Sequence, residues 1–146
     1  MFLGTYLVSV TSGKRTSIPV VFRQKLGQKV VIAKWYENCL VLVGIDSWSA
    51  LLKRLTGGEK LVIEPIRGSE HFVFTSAYEV EVDEQGRIVL PDRLVAYAEL
   101  TDQVYFLGVG DRVEIWNKEV WDKREIEITK DAPEYVEQIA KKNAEK

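Results

Sequence analysis

Arg15 and Arg87 each end a short polar loop that contains a glycine, TSGKR at 11–15 and DEQGR at 83–87. A guanidinium projected from a tight loop between two strands can fork onto guanine or bridge phosphates. Lys14, next to Arg15, adds a compact charge suited to a phosphate oxygen, and Gly13 and Gly86 mark the two loops as turns. A second reading makes both arginines salt-bridge partners inside the fold. Asp83 stands four residues before Arg87, which favours that reading in the second loop, whereas Thr11 takes the place of that acid before Arg15.

Charge is segregated along the chain in a way that supports contact with a polyanion. Residues 1–72 carry ten Lys or Arg against five Asp or Glu (+5), while residues 73–146 carry ten against seventeen (−7). The first acid is Glu37, and Lys14, Arg15, Arg23, Lys25, Lys29 and Lys34 all precede it. Such an unopposed field is an electrostatic footprint for nucleic acid, although charge alone fits a solvated basic surface equally well.

Catalysis lacks its parts. His71 is the sole histidine, beside Glu70 and away from both loops, and Cys39 is the sole cysteine. A His71–Cys39 pair is conceivable, but no third group would orient it. A metal site would need several His, Cys or clustered carboxylates. The Gly-Val-Gly at 108–110 lacks the third glycine of a dinucleotide fingerprint, since Val113 holds that position. No enzyme activity, cofactor or metal is expected.

The elements that must position the loops are written twice. Tyr6, Val8, Val10, Arg15 and Pro19 recur as Tyr78, Val80, Val82, Arg87 and Pro91, each pair 72 residues apart. Trp48 and Trp121 continue the match after a slip of one residue. A unit of about 45 residues is too small to bury a good core alone, so the copies are expected to fold against each other. Within each, an alternating strand (Thr5–Val10, Ala77–Val82) precedes the loop, and Ser17-Ile18 or Val89-Leu90 resumes a strand after it. Pro19 and Pro91 then open short helices whose inner faces carry Phe22 and Leu26, or Leu94 and Ala98, with Gly27 as a stop.

Apolar strands are expected at Lys29–Ala33 and Cys39–Val43, and at Gln103–Leu107 and Arg112–Trp116. Asp46 is placed to cap a helix bearing Trp48, Leu51, Leu52 and Leu55, ended by Gly57-Gly58. Pro65 and Gly68 argue against one continuous helix in the connecting stretch Glu59–Phe74. Asp131-Ala132-Pro133-Glu134 resembles a capping box that opens a terminal amphipathic helix. No apolar run reaches the roughly 18 residues of a membrane span. The start, MFLGTYLVSV, reads as mature protein rather than signal peptide, and one cysteine, read as a buried strand thiol, fits a reducing cytoplasm.

The strand–loop–Arg-x-x-[Ile/Leu]-Pro unit resembles the SpoVT/AbrB-type swapped-hairpin DNA-binding domain. Two copies at this spacing, with MFLGTY, SIPVVFR, DEQGRIVLP and GVGDRVEIW, are similar to the MraZ family of bacterial transcriptional regulators, over nearly all of residues 1–124. The resemblance implies cytoplasmic, nucleoid-associated, ring-shaped homo-oligomers. It also implies binding to direct repeats upstream of the division and cell-wall gene cluster, commonly with repression. Where the family reads Asp-x-Lys-Gly-Arg, this chain has Thr11-Ser12-Gly13-Lys14-Arg15, so the arginine carries over by position, while the exact aim of Lys14 does not. Ser17, Ile18, Pro19, Phe22 and Arg23 match, and the glycine-broken linker is less helical than the family implies.

The expected fold is therefore α+β, with two swapped-hairpin (SpoVT/AbrB-like) β halves forming a pseudo-twofold barrel with short flanking helices. The halves are placed at 5–48 and 77–120, followed by a C-terminal tail and helix at 121–146. The expected function is sequence-specific binding of double-stranded DNA with tandem repeats, through Arg15, Lys14, Arg87, Arg23, Gly13 and Gly86. Self-association into a ring is expected to involve Trp48 and Trp121 as exposed apolar positions. The rivals are an AbrB-type antitoxin that represses its own operon and a structural ring that has lost DNA binding. Arg15 should face DNA freely, while Arg87 divides its hydrogen bonds between DNA and Asp83.

Overall fold

The leading strand of each repeat pairs with the opposite repeat. In a computed structural model of the chain, which describes residues 1–57 and 64–145, β1 (Phe2–Ser9) runs antiparallel to β7 (Gln103–Gly110), with Tyr6 opposite Phe106. Reciprocally, β5 (Tyr78–Glu81) runs antiparallel to β3 (Lys29–Lys34), with Tyr78 opposite Ile32. The inner strands β4 (Leu40–Gly44) and β8 (Val113–Asn117) join the halves, giving the sheet order β1-β7-β8-β4-β3-β5. The remaining strands, β2 (Arg15–Ser17) and β6 (Arg87–Val89), pair with each other. The fold is thus α+β, built from two swapped hairpins in pseudo-twofold relation. The six-stranded sheet stays open, with β1 and β5 as its edges, and does not close into a barrel.

Period-two alternation sorts the apolar side chains onto the two faces of this sheet. Val30, Ile32, Leu40, Leu42, Val104, Phe106 and Ile115 point to one face, where α1 (Val20–Leu26), α4 (Asp92–Tyr97) and the β2–β6 ribbon cover them. Phe22 anchors that layer, meeting Phe2 and Tyr6 edge-to-face at 5.7 and 5.3 Å. Val31, Ala33, Val41, Val43, Leu107 and Trp116 point to the other face, under α2 (Trp48–Thr56), α3 (Glu64–Phe74) and α5 (Lys118–Ala144). A sheet covered on both sides explains why β3 and β4 read as unbroken apolar runs.

Several local expectations give way to tertiary packing. Asp46 makes no capping bond; it lies in a single 3-10 turn, and α2 starts after Ser47. Gly57 ends that helix in the left-handed conformation, whereas Gly58 and the linker up to residue 63 lie outside the described residues. The rest of the linker is one continuous helix through Pro65 and Gly68. Pro65 falls in the first turn, where a missing N–H costs nothing. The buried Val73 and the Ser76 hydroxyl then tie the helix end to β3: Ser76 Oγ donates to α3 carbonyls and accepts Lys34 N–H at 2.9 Å.

The terminal helix starts at Lys118 rather than at Asp131 and runs through Pro133. Asn117 caps it by accepting the Val120 N–H at 3.0 Å. Its first turns are docked: the Trp121 ring packs on Trp116 at 5.1 Å, and Tyr105 donates to Asp122 at 2.6 Å. A nucleus already made by docking propagates past the capping-box sequence. Trp48 and Trp121 are consequently half-buried against the second core layer rather than exposed. Cys39 is fully buried as expected, just before β4 rather than within it.

Candidate nucleic-acid interface

The two predicted loops are built alike, on different chemistry. In the second, the Asp83 carboxylate accepts the backbone N–H groups of Gln85 and Arg87 at 2.9 and 2.8 Å. Gly86 N–H closes the turn on the Asp83 carbonyl, and Gly86 itself sits at φ 79°. In the first, Thr11 does the same work with less: its hydroxyl accepts Arg15 N–H at 3.2 Å and its carbonyl accepts Lys14 N–H. The left-handed residue there is Lys14, at φ 58°, while Gly13 is not in a left-handed conformation, and a Cβ there would lie 4.0 Å from the Thr11 hydroxyl. Both are three-residue hairpin loops, a type that ends on a left-handed position usually held by glycine.

Each loop delivers its arginine to the same small ribbon. Arg15 pairs with Val89, Thr16 with Ile88 and Ser17 with Arg87. Cross-strand partners and residues two apart share a face, so Arg15, Ser17, Arg87 and Val89 all lie on one side. Thr16 and Ile88 lie on the other, 2% and 1% exposed, where they close the core. Val89 is exposed, as is Arg15, and Ser17 and Arg87 are half-buried. Two residues of rise and one strand spacing put the arginine Cα atoms roughly 8 Å apart. The backbone N–H groups of Ile18 and Leu90 then reach across to the Gly86 and Lys14 carbonyls at 2.9 and 2.8 Å.

The electrostatics differ between the two ends. Arg87 Nε lies 3.0 Å from Asp83, with both side chains more than a third exposed at 38% and 39%. The Asp83 carboxyl is held below its ordinary range, chiefly by the Arg87 backbone N–H, with smaller help from the guanidinium. No salt bridge holds Arg15 among the described residues. Lys14, however, donates to Asp92, the first residue of α4. Arg23 makes the reverse crossing: its Nε donates to the Ile18 carbonyl at 2.7 Å and its guanidinium lies over Gly86, where a Cβ would fall 2.2 Å from Nε. Lys14 and Arg15 thus supply +2, lowered to +1 by Asp92, and Arg87 with Asp83 and Glu84 supplies −1, raised to zero by Arg23.

All six candidate residues therefore converge on the ribbon and its two loops. Sequence reasoning missed Ser17 and Val89 as companions of the arginines. Their signal was parity, since both stand two residues after an arginine on a strand that begins at the arginine itself. It also missed Asp92, for which no local pattern exists. His71 is exposed on α3, while Cys39 faces Tyr36 and Glu114, so the two make no hydrogen bond with each other. Among the described residues, no three His, Cys, Asp or Glu side chains could hold a metal ion, and no helix is long and apolar enough to cross a membrane.

Known proteins share this sequence widely. A family model described as "MraZ protein, putative antitoxin-like" matches residues 73–142. Among curated relatives, the "Transcriptional regulator MraZ" of Acetivibrio thermocellus is 41% identical over 122 residues, which cover 84% of this chain and 85% of that protein. Those of Caldicellulosiruptor saccharolyticus and Clostridium tetani are 37% and 35% identical over 147 residues, covering 99% of this chain and 98% of theirs.

Proposed function

The chain belongs to the MraZ family, and on that premise we propose that it is a DNA-binding transcriptional regulator that reads duplex DNA with the outer face of the β2–β6 ribbon. One observation carries the reading: strands from the two repeats bring Arg15, Ser17, Arg87 and Val89 to a single exposed side. A two-stranded ribbon fits the major groove. There Arg15, free of acids, forks onto a guanine, and Val89 offers an apolar surface to a thymine methyl. Arg87, shared with Asp83, and Lys14 meet phosphates.

The finer assignment is a ring-shaped homo-oligomer, nucleoid-associated in the cytoplasm, that binds direct repeats upstream of the division and cell-wall gene cluster and represses it. Exposed apolar side chains support head-to-tail association: Met1, Leu3 and Leu7 along the β1 edge, and Ile126, Val136 and Ile139 on α5. Surfaces of this kind join into closed rings when the rotation between copies closes.

Fluorescence anisotropy with the protein's own upstream DNA tests the reading. If about four to six phosphates are neutralised, log affinity falls against log salt with a slope near −4 to −5. A phased array of repeats binds far more tightly than one repeat, because each ribbon makes few contacts and avidity adds them. A flat salt response, or equal affinity for one repeat and the array, rejects it. Light scattering that finds a folded monomer at micromolar concentration rejects the ring.

A further inference from the structure

Each loop is met by a helix from the opposite repeat, and the two helices bring opposite charges. Arg23 from α1 sits over the second loop, while Asp92 from α4 takes the Lys14 ammonium of the first. Loop 11–15 contains no acid of its own, so this carboxylate is its counter-charge. The strained backbone at Lys14 (φ 58°) sets the direction in which its side chain leaves the loop, towards the start of α4. Asp92 is 82% exposed and Lys14 43% exposed, so solvent reaches the pair and it opens easily.

A carboxylate and a phosphate oxygen compete for the same ammonium. Building on the DNA-binding reading above, we propose that Asp92 is an intramolecular phosphate mimic that restrains Lys14, so that the first loop gains its backbone contact only by exchanging Asp92 for DNA. The exchange lowers the net number of counterions released, because Lys14 is already neutralised in the free protein. The exchange does not depend on base sequence. Asp92 therefore sets the electrostatic strength of binding and leaves the Arg15 readout untouched, acting through Lys14 as a positioning residue.

The experiment measures duplex binding across a salt series for the full chain and for Asp92→Asn, Lys14→Gln and the double variant, each on upstream DNA and on a random duplex. Asp92→Asn is expected to bind both duplexes more tightly by the same factor, about two- to fivefold per engaged subunit, the range for relief of one exposed ion pair. Its salt slope should steepen by about one per engaged loop. In the Lys14→Gln background the gain should vanish, which separates this role from any effect of Asp92 on the start of α4. A parent chain that binds duplex, with Asp92→Asn unchanged or with its gain surviving in Lys14→Gln, overturns this inference and leaves the ribbon reading standing. A parent chain that binds no duplex overturns both.

Discussion

Lys14 and Gly86, 72 residues apart, occupy the same left-handed backbone position in the two loops, at φ 58° and 79°. Glycine takes that conformation freely; a residue with a Cβ is strained there by about 1–2 kcal/mol. The first loop thus holds a cation at the tip of its hairpin at the expense of backbone strain. Lys14→Gly is expected to raise stability by about 0.5–1 kcal/mol, the strain released less the exposed Asp92 pair. It should weaken DNA binding at the same time. Thermal melting and anisotropy on the same samples check both directions, and a fall in melting temperature contradicts the strain.

Arg15→Ala is expected to lose about 1–3 kcal/mol of specific binding per contact, the range for a forked guanine contact. Its melting should stay within about 0.5 kcal/mol of the parent, as for other exposed substitutions away from special backbone positions. Arg87→Ala should weaken binding less. Asp83 keeps two backbone N–H groups whichever side chain stands at 87. The stability cost of the substitution should therefore be small too. An Arg87→Ala protein that unfolds while Arg15→Ala binds DNA normally would reverse the two roles.

Asp83 gives the second loop a pH dependence. Its folded carboxyl is held below the ordinary range, so the contribution it makes is complete above the unfolded value of about 3.9 and fades as pH falls through the lower folded value. Because the group is exposed, the effect is confined to acid and modest. Melting followed from pH 6 to pH 2 should show a shallower acid loss for Asp83→Asn than for the parent. Superimposable profiles would exclude Asp83 as an acid-sensitive support.

Glu114 supports the opposite face of the sheet. It is 8% exposed and accepts Arg112 Nε at 2.9 Å and Trp116 Nε1 at 2.9 Å, with Cys39 Sγ at 3.7 Å. Glu114→Ala leaves the indole N–H without its partner and the guanidinium with Asp111 alone, a loss of about 1–3 kcal/mol. Urea unfolding should show a lower midpoint at unchanged slope, and an unchanged midpoint rules the network out as a support. Burial first, and then the Glu114 charge, pushes the Cys39 thiol well above its ordinary range. Iodoacetamide at pH 8 should label it only after unfolding; rapid labelling of the native protein would contradict that burial.

The sequence by itself determined the repeat, the two loops, the arginine that ends each and the apolar strands. These are local quantities: spacing, alternation and turn composition. Alternation says which face a residue takes and says nothing about the partner strand, so the exchange of β1 and β5 between repeats was legible only as a resemblance. The same limit hid the shared face of Arg15 and Arg87, which needs the β2–β6 register as well as parity. Helix continuity through Gly68 and Pro133 was decided by docking, because packing of Val73 and Trp121 outweighs the propensity of single residues for breaking a helix. The Lys14–Asp92 contact joins residues 78 apart through helix placement alone. No pattern along the chain records it, since an exposed pair needs only two side chains brought within reach by the tertiary fold.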